Sequence, residues 1–525
     1  MRKLIFCSAF IAVALSAVGQ SFVTGYVYDD LNHNGKKDRR EKGIAQVAVS
    51  NGVEVVRTDE AGKYRLPLGD DQVIFVIKPS GYKPALDTFN LPRTYYIHKP
   101  NGSPASRYPG AEPTGNIPPS TDFALYKYDE PEAFSAFIFG DPQVYNETEL
   151  DYLAKGIVTE AAENTTGIRF GITLGDLAGD NLTLHQPYKQ VMKQIGLPWY
   201  NVMGNHDMNV DAKEDRFSDE SFEAHFGPAN YAFHYGKAHF IVLDDIYFPH
   251  PLTGKGYWGG LREDQLTFVK NNLRYVPNDR LIVLAFHIPV SPDVEGPNIF
   301  RDSDRKQLCE LLKDYPQVLF LSAHTHFQCL NLMGEKQGIA RTTPIREYNV
   351  GTTCGDWYSG ILNEKGLPVT TMRDGTPQGY AFLRVNGSDY ALEYKVLGES
   401  ADYQIRVYTP QVVRAGQSTG SAIYANFFMG SNETKPEYRI DGGEWKKMQK
   451  ANEYDPAYVR YVQDWDFYDP LPQGRRPSNP ILCQHLWKGA IETNLPAGKH
   501  RIEVRALDNF GKIQTGTNTY EVVTN

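Results

Sequence analysis

The sequence predicts a multidomain protein: a central layered α/β domain flanked by two small all-β domains. Three observations carry this. The chain has 525 residues, more than one hydrophobic core sustains. Its middle alternates apolar runs with helix-like stretches, whereas both flanks carry short β-branched and aromatic runs punctuated by Gly, Pro, Asn and Asp. The aromatic load is high, with 33 Tyr and 26 Phe, residues that strands favour.

In chain order, residues 1–19 read as a signal peptide. Arg2 and Lys3 precede an apolar run over 4–18, and Ala17-Val18-Gly19 offers a small-residue cleavage site. The alternative, a membrane anchor, needs a longer run, and Cys7 sits inside the run rather than at the cleavage site. The mature protein is therefore expected to be exported, periplasmic or secreted, with no transmembrane segment after cleavage. Residues 20–128 read as a β-sandwich-like N-terminal domain, with runs at 22–28, 47–56, 63–66 and 73–77 and a Pro-, Gly- and Ser-rich linker over 99–120. In the central domain, 132–397, apolar runs lie at 134–139, 169–174, 199–203, 240–243, 281–286 and 318–321. Helices are expected over 147–162, 262–273 and 304–312, and a closing hairpin over 380–396 turns at Asn386-Gly387-Ser388-Asp389. Residues 400–525 return to β-texture and read as a C-terminal β-sandwich.

A net charge of −9 argues against a general polyanion binder and a strong nucleic-acid surface. It leaves room for a phosphorylated small-molecule or macromolecular substrate, because bound cations reverse local charge. Cys309, Cys329, Cys354 and Cys483 form no C-x-x-C pair, so no thiolate zinc site is expected.

The chemistry lies where the central runs end. They lead into Gly140-Asp141-Pro142-Gln143, Gly175-Asp176, Gly204-Asn205-His206-Asp207, His287 and Ala323-His324-Thr325-His326. Five strands thus deliver Asp, Asn or His at their C-terminal ends, the edge where α/β sheets bind ligands. Mixed carboxylate, amide and imidazole donors suit Mn, Fe or Zn rather than calcium. A lone Gly-Asp or His is more often a turn or a satisfied core residue; the joint pattern in this order is what points to a metal site.

This segment resembles the calcineurin-like metallophosphoesterase superfamily in its bacterial exported form with N- and C-terminal β accessory domains. Residues 231–245 are similar to the strand pair that comes after the family's Asn-His motif. The resemblance implies a β-sandwich with helices outside and two divalent transition metal ions. One would be held by Asp141, Gln143, Asp176 and His326, the other by Asp176, Asn205, His287 and His324. Two such ions roughly 3.5–4 Å apart hold a hydroxide between them and clamp phosphoryl oxygens. His206 is then expected to stabilise the transition state and protonate the leaving oxygen, with Asp207 orienting it. The implied activity is hydrolysis of phosphate mono- or diesters by a metal-dependent phosphoric ester hydrolase. Gln143 stands where most members have His. The Asp-Pro-Gln form resembles a subgroup that includes a member regarded as a phosphoprotein phosphatase, which gives a second enzymatic reading. A non-catalytic surface or binding protein on the same scaffold is the third, against which the retained His206 argues.

Three further features remain. Asp30, Asn32, Asn34, Lys36, Asp38 and Glu41 occupy positions one, three, five, seven, nine and twelve of a candidate calcium loop with Gly35 at six; a polar turn without metal is the alternative. The flanking strands resemble the calcium-binding β-modules of bacterial surface proteins. Tyr454, Tyr458, Tyr461, Trp465, Phe467 and Tyr468 form an aromatic run, read either as interdomain packing or as a loop reaching the site mouth. Residues 351–357 are expected to line the substrate pocket, and Cys354 has no base beside it in sequence that would make it a nucleophile.

Overall fold

Strands buried on both faces read as continuous apolar runs, and the central runs behave this way: Leu281–Ala285 and Val318–Ser322 are buried at every position. The computed structural model describes residues 21–294 and 299–524, so the signal-like segment and Cys7 lie outside the described residues. One central sheet has five strands in the order Trp199–Val202, Ile168–Leu174, Ala133–Phe139, Gly379–Asn386, Asp389–Val396. Its first three are parallel, and its last two form the expected hairpin, closing at Asn386↔Asp389. The opposing sheet has six strands in the order Tyr231–Tyr235, Ala238–Val242, Leu281–Ala285, Val318–Ser322, Ile345–Asn349, Cys329–Met333. Its four inner strands are parallel, with an antiparallel strand at each edge.

The period-two alternation of strands divides the side chains into two packing layers. Phe134, Ala136, Ile138, Phe170 and Ile172 face inward, meeting Phe240, Val242, Val283, Leu319 and Leu321 of the other sheet. Phe137 and Phe139 face outward, against Leu150, Leu153, Ile157 and Tyr188. On the far side Ile241, Leu243, Ile282 and Leu284 pack on Leu266, Val269, Leu273 and Leu308. The centre is therefore a β-sandwich with helices outside.

Helix Glu147–Leu153 begins where the Asn146 side chain accepts from Glu149 N at 3.0 Å, and runs through one π-helical turn, Ala154–Val158, into Thr159–Glu163. Glu263–Leu273 and Asp302–Leu311 match the other expected helices within two residues. Helices His185–Met192 and Glu220–Phe226 and strands Cys329–Met333 and Ile345–Asn349 are additions to the elements expected from the sequence.

The first flank holds two four-stranded sheets around Val23, Val27, Val49, Leu66, Ile74 and Leu125. It is joined to the centre by packing: Phe75 meets Phe268 edge-to-face with centroids 5.8 Å apart. Residues 99–120 are not a free linker. Buried Lys99 pairs with Asp71, Glu220 and Glu223, and Arg107 N donates to Asp211 Oδ2 at 2.8 Å. Asn209 Nδ2 donates to Tyr108 O at 3.0 Å. The strap thus lies along the segment just past the Asn205-His206-Asp207 motif.

The second flank holds sheets of four and five strands, but it is not purely β. Much of the aromatic run is a helix, Pro456–Asp466, with Pro in its first turn and Asp455 capping Tyr458 N at 2.8 Å. Its Tyr458, Val462 and Trp465 are buried, whereas Phe467 and Tyr468 are exposed. Cys309, Cys329, Cys354 and Cys483 are all buried free thiols. Among the described residues no helix is long and apolar enough to cross a membrane.

Phe170 lies between the sheets, edge-to-face with Tyr200, Phe233 and Phe240. Phe170→Ala is expected to destabilise the central domain by about 3–5 kcal/mol, read as a lowered midpoint in denaturant.

Candidate metal centre

Asp141, Asp176, His287 and His324 each stand two residues beyond the end of a central strand, and Asn205 stands three beyond. The strands carrying them run parallel within their sheets, so these residues gather at one edge. There the backbone turns sharply. Asp141, Gln143, Asp176, His324 and His326 all adopt positive φ, between 34° and 68°. A non-glycine residue in that region costs about 1–2 kcal/mol, and such strain clusters where side chains must be aimed. Gly204 makes the close approach possible: a Cβ there would lie 2.0 Å from Asp176 N.

The side chains converge. His287 Nε2 lies 3.0 Å from Asn205 Oδ1, 3.3 Å from Asp176 Oδ2 and 3.2 Å from His324 Nδ1. Asp141 Oδ1 lies 4.0 Å from His287 Nε2 and 3.9 Å from His326 Nε2, joining the two halves. Asp176, His287 and His324 each offer a ligand atom within 4.8 Å of the others. His287 Nδ1 donates to Leu174 O at 2.7 Å, which turns Nε2 inward, as the outer contacts of metal-binding imidazoles do. His324 N donates to both Asp141 oxygens at 3.1–3.2 Å.

The site also corrects one expectation. Asp207 does not serve His206. Its buried carboxylate accepts from Leu177 N, Ala178 N and Gly204 N at 3.0–3.1 Å and meets His185 Nε2 at 3.0 Å. It welds the Asp176 turn to the Asn205 turn. The carboxylate at His206 is Asp180, whose Oδ1 lies 2.7 Å from His206 Nδ1. Sequence reading passed over Asp180, although it closes a second Gly-Asp pair, Gly179-Asp180, four residues past Asp176. His206 N donates to Asp176 Oδ1 at 2.9 Å, and its side chain is 27% exposed, so it stands at the mouth.

Residues 351–357 do close over the site. Thr353 N donates to Gly140 O at 2.7 Å, and the hydroxyl of Tyr358 donates to Pro142 O at 2.7 Å. The Trp357 ring stacks on His326, centroids 4.2 Å apart, while its Nε1 donates to Gln143 Oε1 at 2.6 Å. Gln143 therefore spends one lone pair on Trp357 and keeps the other. Cys354 is buried with Sγ 3.8 Å from His326 Nδ1, and burial pushes its thiol well up, away from nucleophilic use.

Electrostatics fit a cation-binding centre. Burial pushes His324 and His326 down to about 3, helped by neighbouring imidazoles. Burial would raise Asp176, but His287 and His206 overcome it and hold the carboxyl well below its usual range. Asp141 is pushed up to about 8 by burial, with Asp176 adding to the rise. Neutral imidazole and ionised carboxylate are the ligating forms; His324, His326 and Asp176 favour them, whereas Asp141, and His287, which Asp176 raises to about 10 against burial, favour their protonated forms until a cation supplies positive charge. The donor set thus fits divalent cations: Asp176, His287 and His324 offer ligand atoms to one ion with Asn205 beside them, and Asp141 and His326 lie next to this cluster. The calcium-type loop differs: its acidic oxygens are turned to its own N–H groups, Asp30 accepting from Gly35 N at 2.8 Å and Glu41 from Leu31 N at 2.9 Å.

Comparison with known proteins finds family models that match three stretches of the chain. The model of the calcineurin-like phosphoesterase family matches residues 138–328. Models of that family's N-terminal and C-terminal regions match 31–108 and 347–513. A curated relative, the probable glycerophosphodiester phosphodiesterase GpdQ of Arcobacter nitrofigilis, is 27% identical over 146 residues, spanning 26% of this chain and 49% of the relative. Among solved structures, a dimetal phosphatase from Danio rerio aligns at 13% identity and TM-score 0.34, covering 50% of this chain and 99% of that one. Purple acid phosphatase PPD1 from yellow lupin (Lupinus luteus) aligns at 12% and 0.37, covering 67% of each.

Asp180→Asn is expected to leave the fold and metal content intact, whereas Asp207→Asn, which weakens four buried contacts, is expected to lower stability by about 2–4 kcal/mol. Thermal unfolding and metal analysis of the two variants check the distinction.

Proposed function

This chain belongs to the calcineurin-like phosphoesterase superfamily, and from that premise we propose that it is an exported two-metal enzyme hydrolysing phosphate mono- or diesters. The observation that carries the reading is the convergence of Asp141, Asp176, Asn205, His287, His324 and His326 on one edge, with His206 at its mouth. Two divalent transition ions held there would supply a nucleophile at neutral pH and neutralise the phosphoryl oxygens.

The remaining work falls to the chain. Burial opposes the charged form of His206, but Asp176 and Asp180 outweigh it and raise the imidazole. Asp180 accepts at Nδ1, which leaves Nε2 to carry the proton toward the leaving oxygen. Trp357 and the bonds to Gly140 and Pro142 keep the loop of residues 351–357 closed against the ligand turn. The diester half of the proposal is supported by the name of the curated relative, and export by Arg2, Lys3 and the apolar run after them. Calcium in the Asp30–Glu41 loop, supported by ligand spacing alone, belongs to the same proposal; chelation is then expected to lower the stability of the N-terminal domain.

The test is metal-dependent hydrolysis. The mature chain is stripped with chelator, reloaded singly with Mn, Fe or Zn, and assayed on p-nitrophenyl phosphate and bis-p-nitrophenyl phosphate. Restored turnover is expected, with His206→Ala retaining two metals and losing roughly 10²–10⁴-fold in kcat. Metal-loaded protein that turns over neither ester would sink the proposal; loss of metal in His206→Ala would remove His206 from its role.

A further inference from the structure

One contact of the C-terminal flank with the rim of the metal centre is a short two-stranded junction. Gly360-Ile361 of the central domain pairs antiparallel with Gly474-Arg475. Both glycines have positive φ, 111° and 122°, and a Cβ on Gly474 would lie 2.3 Å from Gly360 O. Only glycine allows backbones this close. The junction is pinned by Ser478 N, which donates to Asp356 Oδ2 at 2.6 Å, and by Ile361 N, which donates to the Tyr461 hydroxyl at 3.2 Å.

This junction carries Arg475 to the rim. Its guanidinium lies 5.8 Å from the Trp357 ring centroid and donates to Trp357 O at 3.4 Å. Trp357 in turn lies on His326, so Arg475 stands two short steps from a proposed metal ligand. Trp357 and Tyr358, which present this surface, both hold positive φ, 49° and 53°, a strained backbone of the kind that serves ligand clamps. Arg476, the next residue, is occupied by Asp466, with Nε to Oδ1 at 2.6 Å. Arg475 forms no ion pair among the described residues, and it is exposed.

We infer that Arg475 forms a second anion-binding point, receiving a carboxylate or phosphate on the alcohol portion of the ester whose phosphoryl group sits at the metal centre. A planar guanidinium backed by an aromatic face and without a carboxylate partner is suited to such a group. The substrate class is then phosphate esters of acidic alcohols, and the C-terminal domain is the element that selects them. This rests on the proposed phosphoesterase reading for the position of the first phosphoryl group.

Binding and turnover separate the two readings. Metal-loaded protein is titrated calorimetrically with benzylphosphonate and with 4-carboxybenzylphosphonate, and assayed on phenyl phosphate and 4-carboxyphenyl phosphate. The carboxylated partner of each pair is expected to be favoured, about five- to tenfold in Kd and KM. Arg475→Ala should remove that preference, Arg475→Lys should keep part of it, and Arg476→Ala should retain it. A preference that is absent in the parent protein, or that survives in Arg475→Ala, overturns the inference. A preference in binding without turnover of either ester leaves this inference standing and overturns the proposed activity.

Discussion

Two carboxylates, Asp141 and Asp176, are buried side by side, and the rest of the site end depends on holding them there. Burial favours the neutral acids, and Asp176 adds to the rise at Asp141. The surroundings answer with His287 and His206 around Asp176 and backbone N–H groups around both carboxylates. The geometry that brings these groups together cannot be made by relaxed strand ends. It needs five non-glycine residues in the left-handed region, at a summed cost the two-sheet core must outweigh. A core of continuous apolar strands packed on both faces is what makes that strain tolerable.

The flanks reinforce the same edge. The strap over residues 99–120 holds Asn209 and Asp211, just past the Asn205-His206-Asp207 turn. On the other side a buried polar chain runs from the C-terminal domain to the His324-Thr325-His326 turn. His485 Nε2 meets Asp374 Oδ2 at 2.9 Å, and the same oxygen accepts from Gln328 N at 2.9 Å. Gln328 in turn is bound by the Tyr348 hydroxyl at 2.7 Å. Fully paired buried networks of this kind fix one arrangement, because breaking any member leaves an unsatisfied group in low dielectric. The accessory domains are therefore structural partners of the site.

Much of this is legible in the sequence. Continuous apolar runs such as 281–286 and 318–321 announce central strands, and the polar residues ending them announce the ligand edge. What the sequence hides has physical causes. His185–Met192 contains Pro187, and its buried face includes the polar His185 and Lys189 beside Tyr188, Val191 and Met192, so it does not read as an apolar stripe. The helix Pro456–Asp466 is rich in aromatics that read equally as strand or loop, although Asp455-Pro456 is a start signal. Adjacency in sequence suggests Asp207 as the partner of His206, whereas the turn sends that side chain inward and brings Asp180 across 26 residues. The role of residues 99–120 is hidden because loop composition says nothing about where a strap docks.

We propose that these donors hold two ions with Asp176 between them. It is tested most directly by anomalous diffraction at the manganese edge from crystals of the manganese-loaded protein. Two peaks are expected about 3.5–4 Å apart on either side of the Asp176 carboxylate, one beside Asp141 and His326, the other beside Asn205, His287 and His324. A single peak, or two peaks that do not share Asp176, would contradict it.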